Sequence, residues 1–244
     1  MAVQRNLPST INADSTAAAT QPSRASAYLE AYTLPLGGGG NYGYADEGSF
    51  FTAVNATVGT GIAGHAAPVV ADTDTKALLH VFNSNAAGGK RIIPVFLRLE
   101  FTAIGAGGTI SYNVAYVDNK GTTARSSGGT AITPANTKSG GSQTTGATVY
   151  FGAVVTAMTS SVKVWAAQCR EVIPVVNDTM TIFFGAPTGN FTSALTTAST
   201  GINHSTFIAP PICIDPGGNF NFARIRASQS GADSYSFSFG YIER

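Results

Sequence analysis

The stretch Tyr235-Ser-Phe-Ser-Phe-Gly-Tyr-Ile-Glu-Arg244 decides the reading of this chain. Rings at Tyr235, Phe237, Phe239 and Tyr241 alternate with small residues, and a charged pair follows. A period of two places all the rings on one face of a β-strand and serine or glycine on the other. A segment of this kind at the end of a chain is expected to be a pinned element of the fold. Upstream runs Phe207-Ile-Ala-Pro-Pro-Ile-Cys-Ile214, then Asp215-Pro-Gly-Gly218, then Asn219-Phe-Asn-Phe-Ala-Arg-Ile-Arg226. It reads as a strand pair joined by a Pro-Gly-Gly turn.

The same style continues towards the N-terminus. Strands are expected over residues 48–58, 76–82, 91–104, 109–117, 147–155, 161–176 and 179–184. Residues 105–108, Gly-Ala-Gly-Gly, separate two of these apolar runs and give a hairpin signal. Pro174 implies an edge or a bend. Residues 120–146 and 185–205 are rich in Gly, Ser, Thr and Ala and read as long exposed loops, with a short strand candidate at Ala131-Ile132. No amphipathic helix of ten residues is evident. Eight to ten strands separated by turns give an all-β fold, a jelly roll or β-sandwich. Residues 1–36 read as an extended N-terminal arm, of which 1–26 are the least apolar, and residues 37–244 as a single domain. Gly37-Gly-Gly-Gly40 marks the hinge between them.

Composition limits the function. A chain of 244 residues can bury roughly 70% of its unfolded surface, enough for a substantial core. Charged residues are only 11% of the chain, against about 25% in an average protein. A net charge of +1 opposes a strongly basic nucleic-acid binder. So little surface charge favours self-association, because little repulsion opposes it. No apolar run approaches the ~20 residues that span a bilayer, and residues 1–8 lack the pattern of a signal peptide, so synthesis in a cytoplasm is expected. The Asn-x-Ser/Thr sequences at Asn55, Asn177, Asn190 and Asn203 then follow from composition alone. Cys169 and Cys213 sit in apolar runs and are expected to be buried free thiols, a single bridge being the alternative.

Catalytic motifs are weak. Gly59-Thr-Gly-Ile-Ala-Gly64 matches the dinucleotide fingerprint, yet His65-Ala-Ala-Pro68 breaks the helix that must follow, and no acid stands near residue 84. Asp72 and Asp74 lack the glycine and distal glutamate of a calcium loop. His65, His80 and His204 form no metal-ligand spacing, and His80 reads as a satisfied strand histidine. Residues 140–144, Gly-Gly-Ser-Gln-Thr, lack the second glycine of a nucleophile elbow. Between Thr102 and Arg170 the acid Asp118 faces Lys120, Arg125, Lys138, Lys163 and Arg170, a mild basic bias. A non-enzymatic protein without cofactor or metal is expected, with no catalytic, cofactor-binding or metal-binding residue to name.

Residues 210–244, with Pro210-Pro211, the Pro216-Gly-Gly turn, Ser228-Gln-Ser-Gly-Ala and the aromatic close with Glu243-Arg244, resemble the endings of jelly-roll capsid cement (decoration) proteins of tailed bacteriophages. The resemblance implies a homotrimer on the outer surface of the virion that binds and stabilises the major capsid protein lattice, with no direct nucleic-acid or membrane contact. A tail, fibre or receptor-binding module for host glycans is the alternative. Against it, residues 120–146 and 185–206 hold neither Trp nor Tyr, and Trp165 falls in a strand.

Overall fold

The computed structural model describes residues 40–57, 59–65, 75–108, 110–118, 126–158, 160–170, 174–185 and 204–244. The expected arm, most of the glycine hinge, Asp72, Asp74, Lys120, Arg125, Asn190 and Asn203 lie outside them, as do the side chains of Cys169, Arg170 and His204. The chain divides into two units, Met1–Glu47 and Gly48–Arg244. In the first, α1 (Gly40–Glu47) is a helix of eight residues, GNYGYADE. Its two glycines and its acids at the C-terminal end oppose helix formation, which is why the sequence gives no sign of it.

The second unit consists of β1 (Phe50–Val54), β2 (Ile62–Ala63), β3 (Lys76–Asn83), β4 (Ile92–Ala103), β5 (Ile110–Asp118), β6 (Ser127–Ile132), β7 (Ala135–Asn136), β8 (Ala147–Val155), β9 (Ser161–Arg170), β10 (Thr179–Phe184), β11 (His204–Ala209), β12 (Asn219–Arg226) and β13 (Ser234–Glu243). One sheet has the order β11-β10-β4-β13-β1-β7, with β2 also on β13, and the other β6-β8-β3-β12-β5-β9. Without β2, β6, β7, β8 and β11, the orders reduce to β1-β13-β4-β10 and β3-β12-β5-β9. That is the strand order of a jelly roll, two interlocked Greek keys. The β6–β8 segment is an insertion between β5 and β9. It widens the second sheet beyond β3 and reaches back to β1 through β7.

The aromatic strand sits in the middle of the first sheet, between β4 and β1. Tyr235, Phe237, Phe239 and Tyr241 are all buried and belong to the core between the sheets. Phe237 stacks on Phe151 of β8 in the opposite sheet, with centroids 3.7 Å apart and planes 6° off parallel. Phe184 meets Phe220 edge-on at 5.5 Å, and Trp165 meets Phe207 edge-on at 6.3 Å, again across the two sheets. Each fully buried ring of this kind contributes about 1.5–3 kcal/mol. On the opposite face of β13, Gly240 lies directly beneath the Phe96 ring, where a methyl group has no room.

Several local readings need correction. β4 and β5 do not form a hairpin: β4 pairs with β10 and β13, and β5 with β9 and β12. Residues 105–108 instead carry the chain from one sheet to the other. Nor do β11 and β12 pair, since they lie in different sheets. Turn-forming residues specify that the chain reverses, while the partner of each strand is set by long-range burial. The expected loop over residues 120–146 includes β7 as well as β6, and β6 contains the short strand expected at Ala131-Ile132. Cys213 is free but exposed, not buried. β9 does lie at an edge of its sheet, as the proline after it suggested.

Candidate interaction surface

At one end of the sandwich, the β4–β5 turn and the β12–β13 turn are joined by a buried charge network. Arg226 and Asp233 side chains are 1% and 2% exposed. The guanidinium grips the carboxylate twice, Nη2 to Oδ1 at 2.6 Å and Nε to Oδ2 at 3.2 Å. Arg226 Nη2 also donates to the Gly105 carbonyl. Asp233 Oδ1 accepts the Gly105 amide at 2.8 Å, and Oδ2 accepts the Tyr235 hydroxyl at 3.3 Å. Backbone bonds from Gly108 to Ala227 and from Ser230 to Ala106, both 2.7 Å, complete the seam. Gly105 must be glycine here, because a Cβ would run into the Gly231 backbone. Burial pushes the Tyr235 phenol well above its ordinary range, so it stays a neutral donor.

The opposite end is tied as firmly. Arg91 and Arg244 exchange main-chain bonds, and the Glu243 amide donates to Ser49 O at 2.8 Å. Glu243 Oε1 accepts from Asn85 Nδ2 and the Gly146 amide, both at 2.9 Å. Asn83 Nδ2 donates to Lys90 and Ile214 carbonyls at 2.9 Å. Both ends are therefore held by specific polar bonds, and neither presents an open cluster of reactive groups among the described residues.

The candidate motifs resolve into structural parts. After Gly59, whose φ is +80°, the chain enters β2 and then His65, so residues 59–65 form a turn and a short strand with no helix to meet a pyrophosphate. His65 Nε2 donates to Ala77 O at 3.2 Å, and burial holds its pKa below the ordinary value. His80 is a buried strand residue whose Nδ1 donates to Asn221 Oδ1 at 2.7 Å. Asn55 is buried, with its amide spent on Thr60 O at 2.9 Å and the Phe237 N–H at 2.6 Å. Partial desolvation by its neighbours, and then the nearby Asp215, raise the thiol of the exposed Cys213 above its usual pKa, which makes it a poor nucleophile. Of the residues in the basic bias whose side chains are described, Asp118 is buried in β5, and Lys163 lies over the Tyr116 ring at 5.9 Å. Among the described residues no group of three or more His, Cys, Asp or Glu side chains could hold a metal ion, and no helix is long and apolar enough to cross a membrane.

What remains conspicuous is the lateral side where β9 and β11 end the two sheets. Trp165 of β9 and Phe207 of β11 close the sandwich there. Val162 of β9 and Ile208 of β11 are each 47% exposed, and Val175 and Val176 are exposed in the turn before β10, which bonds to Phe101 at the end of β4. The described charged side chains of these segments are Lys163, exposed, and Asp178, buried. Sequence reasoning did not single out Val162 and Ile208. Their apolar character is visible, but only strand order shows that they share a side. No family model, curated protein or solved structure matches this chain.

Proposed function

We propose that this chain is a non-enzymatic virion structural protein, a cement protein that attaches to the outer surface of a capsid lattice built from a major capsid protein. The observation that carries the reading is the exposed apolar pair Val162 and Ile208 on the lateral side where β9 and β11 end the sheets, in a chain with only 11% charged residues and on a jelly roll tied at both ends by buried polar networks. An exposed apolar side of this kind favours contact with other subunits, and a stiff body transmits load between the subunits it joins. The resemblance of residues 210–244 to capsid cement proteins supports the same reading. Self-association would multiply weak contacts on a repeating lattice, and the segment before the β unit offers added surface by running over a neighbour.

The test is depletion and add-back. Particles purified without the protein should regain resistance to heat and low salt when the purified chain is added, and the bound amount should saturate at a fixed ratio to the capsid protein. Failure to bind, or binding without a fixed ratio, contradicts the proposal.

A further inference from the structure

Sheet edges expose unpaired amides and carbonyls, and soluble proteins blunt them with bulges, charges or brevity. Among the described residues the two sheet orders end in β6, β7, β9 and β11, and the two-residue β2 pairs with β13 alone. β6 carries Gly128 and Gly129 with φ of +73° and +72°, and its register with β8 is broken between Gly128 and Thr130. β7 has two residues. β9 has a register break against β5 and an exposed lysine, Lys163. β11 has none of these devices. It runs unbroken against β10 from Thr179↔His204 to Phe184↔Ala209, and contains no Lys, Arg, Asp or Glu.

The direction of its free groups follows from one hydrogen bond. The Gly185 amide donates to Ala209 O at 2.9 Å, so Ala209 faces β10. Alternation along the strand turns Phe207 and Ser205 the same way and leaves the main-chain groups of Thr206 and Ile208 pointing outward. Ile208 is 47% exposed.

We propose that a second copy of this chain pairs with it along β11, antiparallel about a two-fold axis at Phe207. Parity restricts the register, because outward-facing residues must meet outward-facing residues, and of the registers it leaves we take the one centred on Phe207. Thr206 then exchanges both main-chain bonds with Ile208 of the partner subunit, Ile208 does the same with Thr206 of the partner subunit, and Phe207 sits at the non-hydrogen-bonded position on the axis. The partner is another copy because this edge is self-complementary in that register and β11 itself brings no Lys, Arg, Asp or Glu to the seam. Trp165 packs on Phe207, so β9 and its exposed Val162 lie below the seam, where the pairing covers further apolar surface. Pro210 and Pro211, which lack amide donors, end the pairing at one side. The two seven-stranded sheets become one continuous sheet. This two-fold contact differs from the threefold association that the family resemblance implies, and it stands or falls apart from capsid attachment.

The test uses the full chain. Light scattering after gel filtration, at several concentrations, gives the copy number, and hydrogen exchange reads the Thr206 and Ile208 amides. Ile208→Lys places a charge on the seam. Thr206→Pro removes an outward donor at an edge position where proline is tolerated. The expected result is an even copy number, with both amides protected as concentration rises. Association and that protection should be lost in each variant that keeps the wild-type circular dichroism. A monomeric or trimeric wild-type protein overturns the proposal, as does association that survives both substitutions. Either result leaves the add-back test of capsid attachment to be judged by itself.

Discussion

Replacing Asp233 with alanine should be among the most damaging changes to this fold that touch no apolar side chain. The carboxylate balances a guanidinium that is 1% exposed, and it also accepts the Gly105 amide and the Tyr235 hydroxyl. Arg226 Nη1 is already buried without a hydrogen-bond partner among the described residues, so the network holds no spare acceptor. Removing one member of a buried pair costs about 3–5 kcal/mol, because the other charge is left desolvated and uncompensated. For a unit of this size 1 kcal/mol corresponds to about 2–4 °C, so a cost of ~4 kcal/mol lowers the midpoint by roughly 8–16 °C. Guanidinium unfolding followed by tryptophan fluorescence and circular dichroism gives the free energy directly. The double variant Arg226→Met/Asp233→Leu removes both charges, and should recover most of the loss or exceed the wild type. A loss below about 1 kcal/mol for Asp233→Ala, or a double variant as unstable as the single one, refutes the argument that desolvation dominates this site.

Gly105→Ala drives a methyl into the Gly231 backbone and should cost at least about 1–3 kcal/mol; Gly140→Ala, at φ +74° in open space, should cost only about 1 kcal/mol and serves as the control in the same denaturation series. Phe237→Ala removes the ring stacked on Phe151 and should destabilise by about 3–5 kcal/mol, read in the same way, with a loss under about 1.5 kcal/mol counting against the assigned core. His65 is held neutral in the fold, so below its ordinary pKa of 6.5 the unfolded chain binds the extra proton and stability falls with pH. Melting curves should therefore show a drop between pH 7.5 and 5.5 that is shallower in His65→Gln, and identical slopes would remove His65 from the account. Deleting residues 1–26 should weaken capsid attachment in a co-sedimentation assay while the melting midpoint of the β unit stays unchanged; undiminished attachment would deny that segment a binding role.

Much of the fold was legible because a period of two is a local signal. β8 and β10 span residues 147–155 and 179–184 as expected, and the rings of β13 lie on one buried face. Pairing was not legible. The glycines at 105–108 announce a turn, yet the bonds that decide its path run to Ala227, Ser230 and Asp233, more than a hundred residues away. Arg226 and Asp233 look like surface charges beside a turn, and only the approach of the β4–β5 turn buries them. The lateral side escaped notice for the same reason. Val162 and Ile208 stand in separate segments, and strand order alone brings β9 and β11 to one side. Cys213, in an apolar run, was expected inside and lies outside, since Pro210 and Pro211 take the chain out of β11 before the cysteine is reached.

The central claim is attachment to a capsid lattice, and its most direct test is a cryo-electron microscopy reconstruction of phage particles assembled with this protein present. The account predicts density of jelly-roll shape on the outer shell surface, at symmetry-related sites between major capsid subunits, that disappears from particles lacking the gene. Shells unchanged by the deletion, or density confined to the tail, would contradict it.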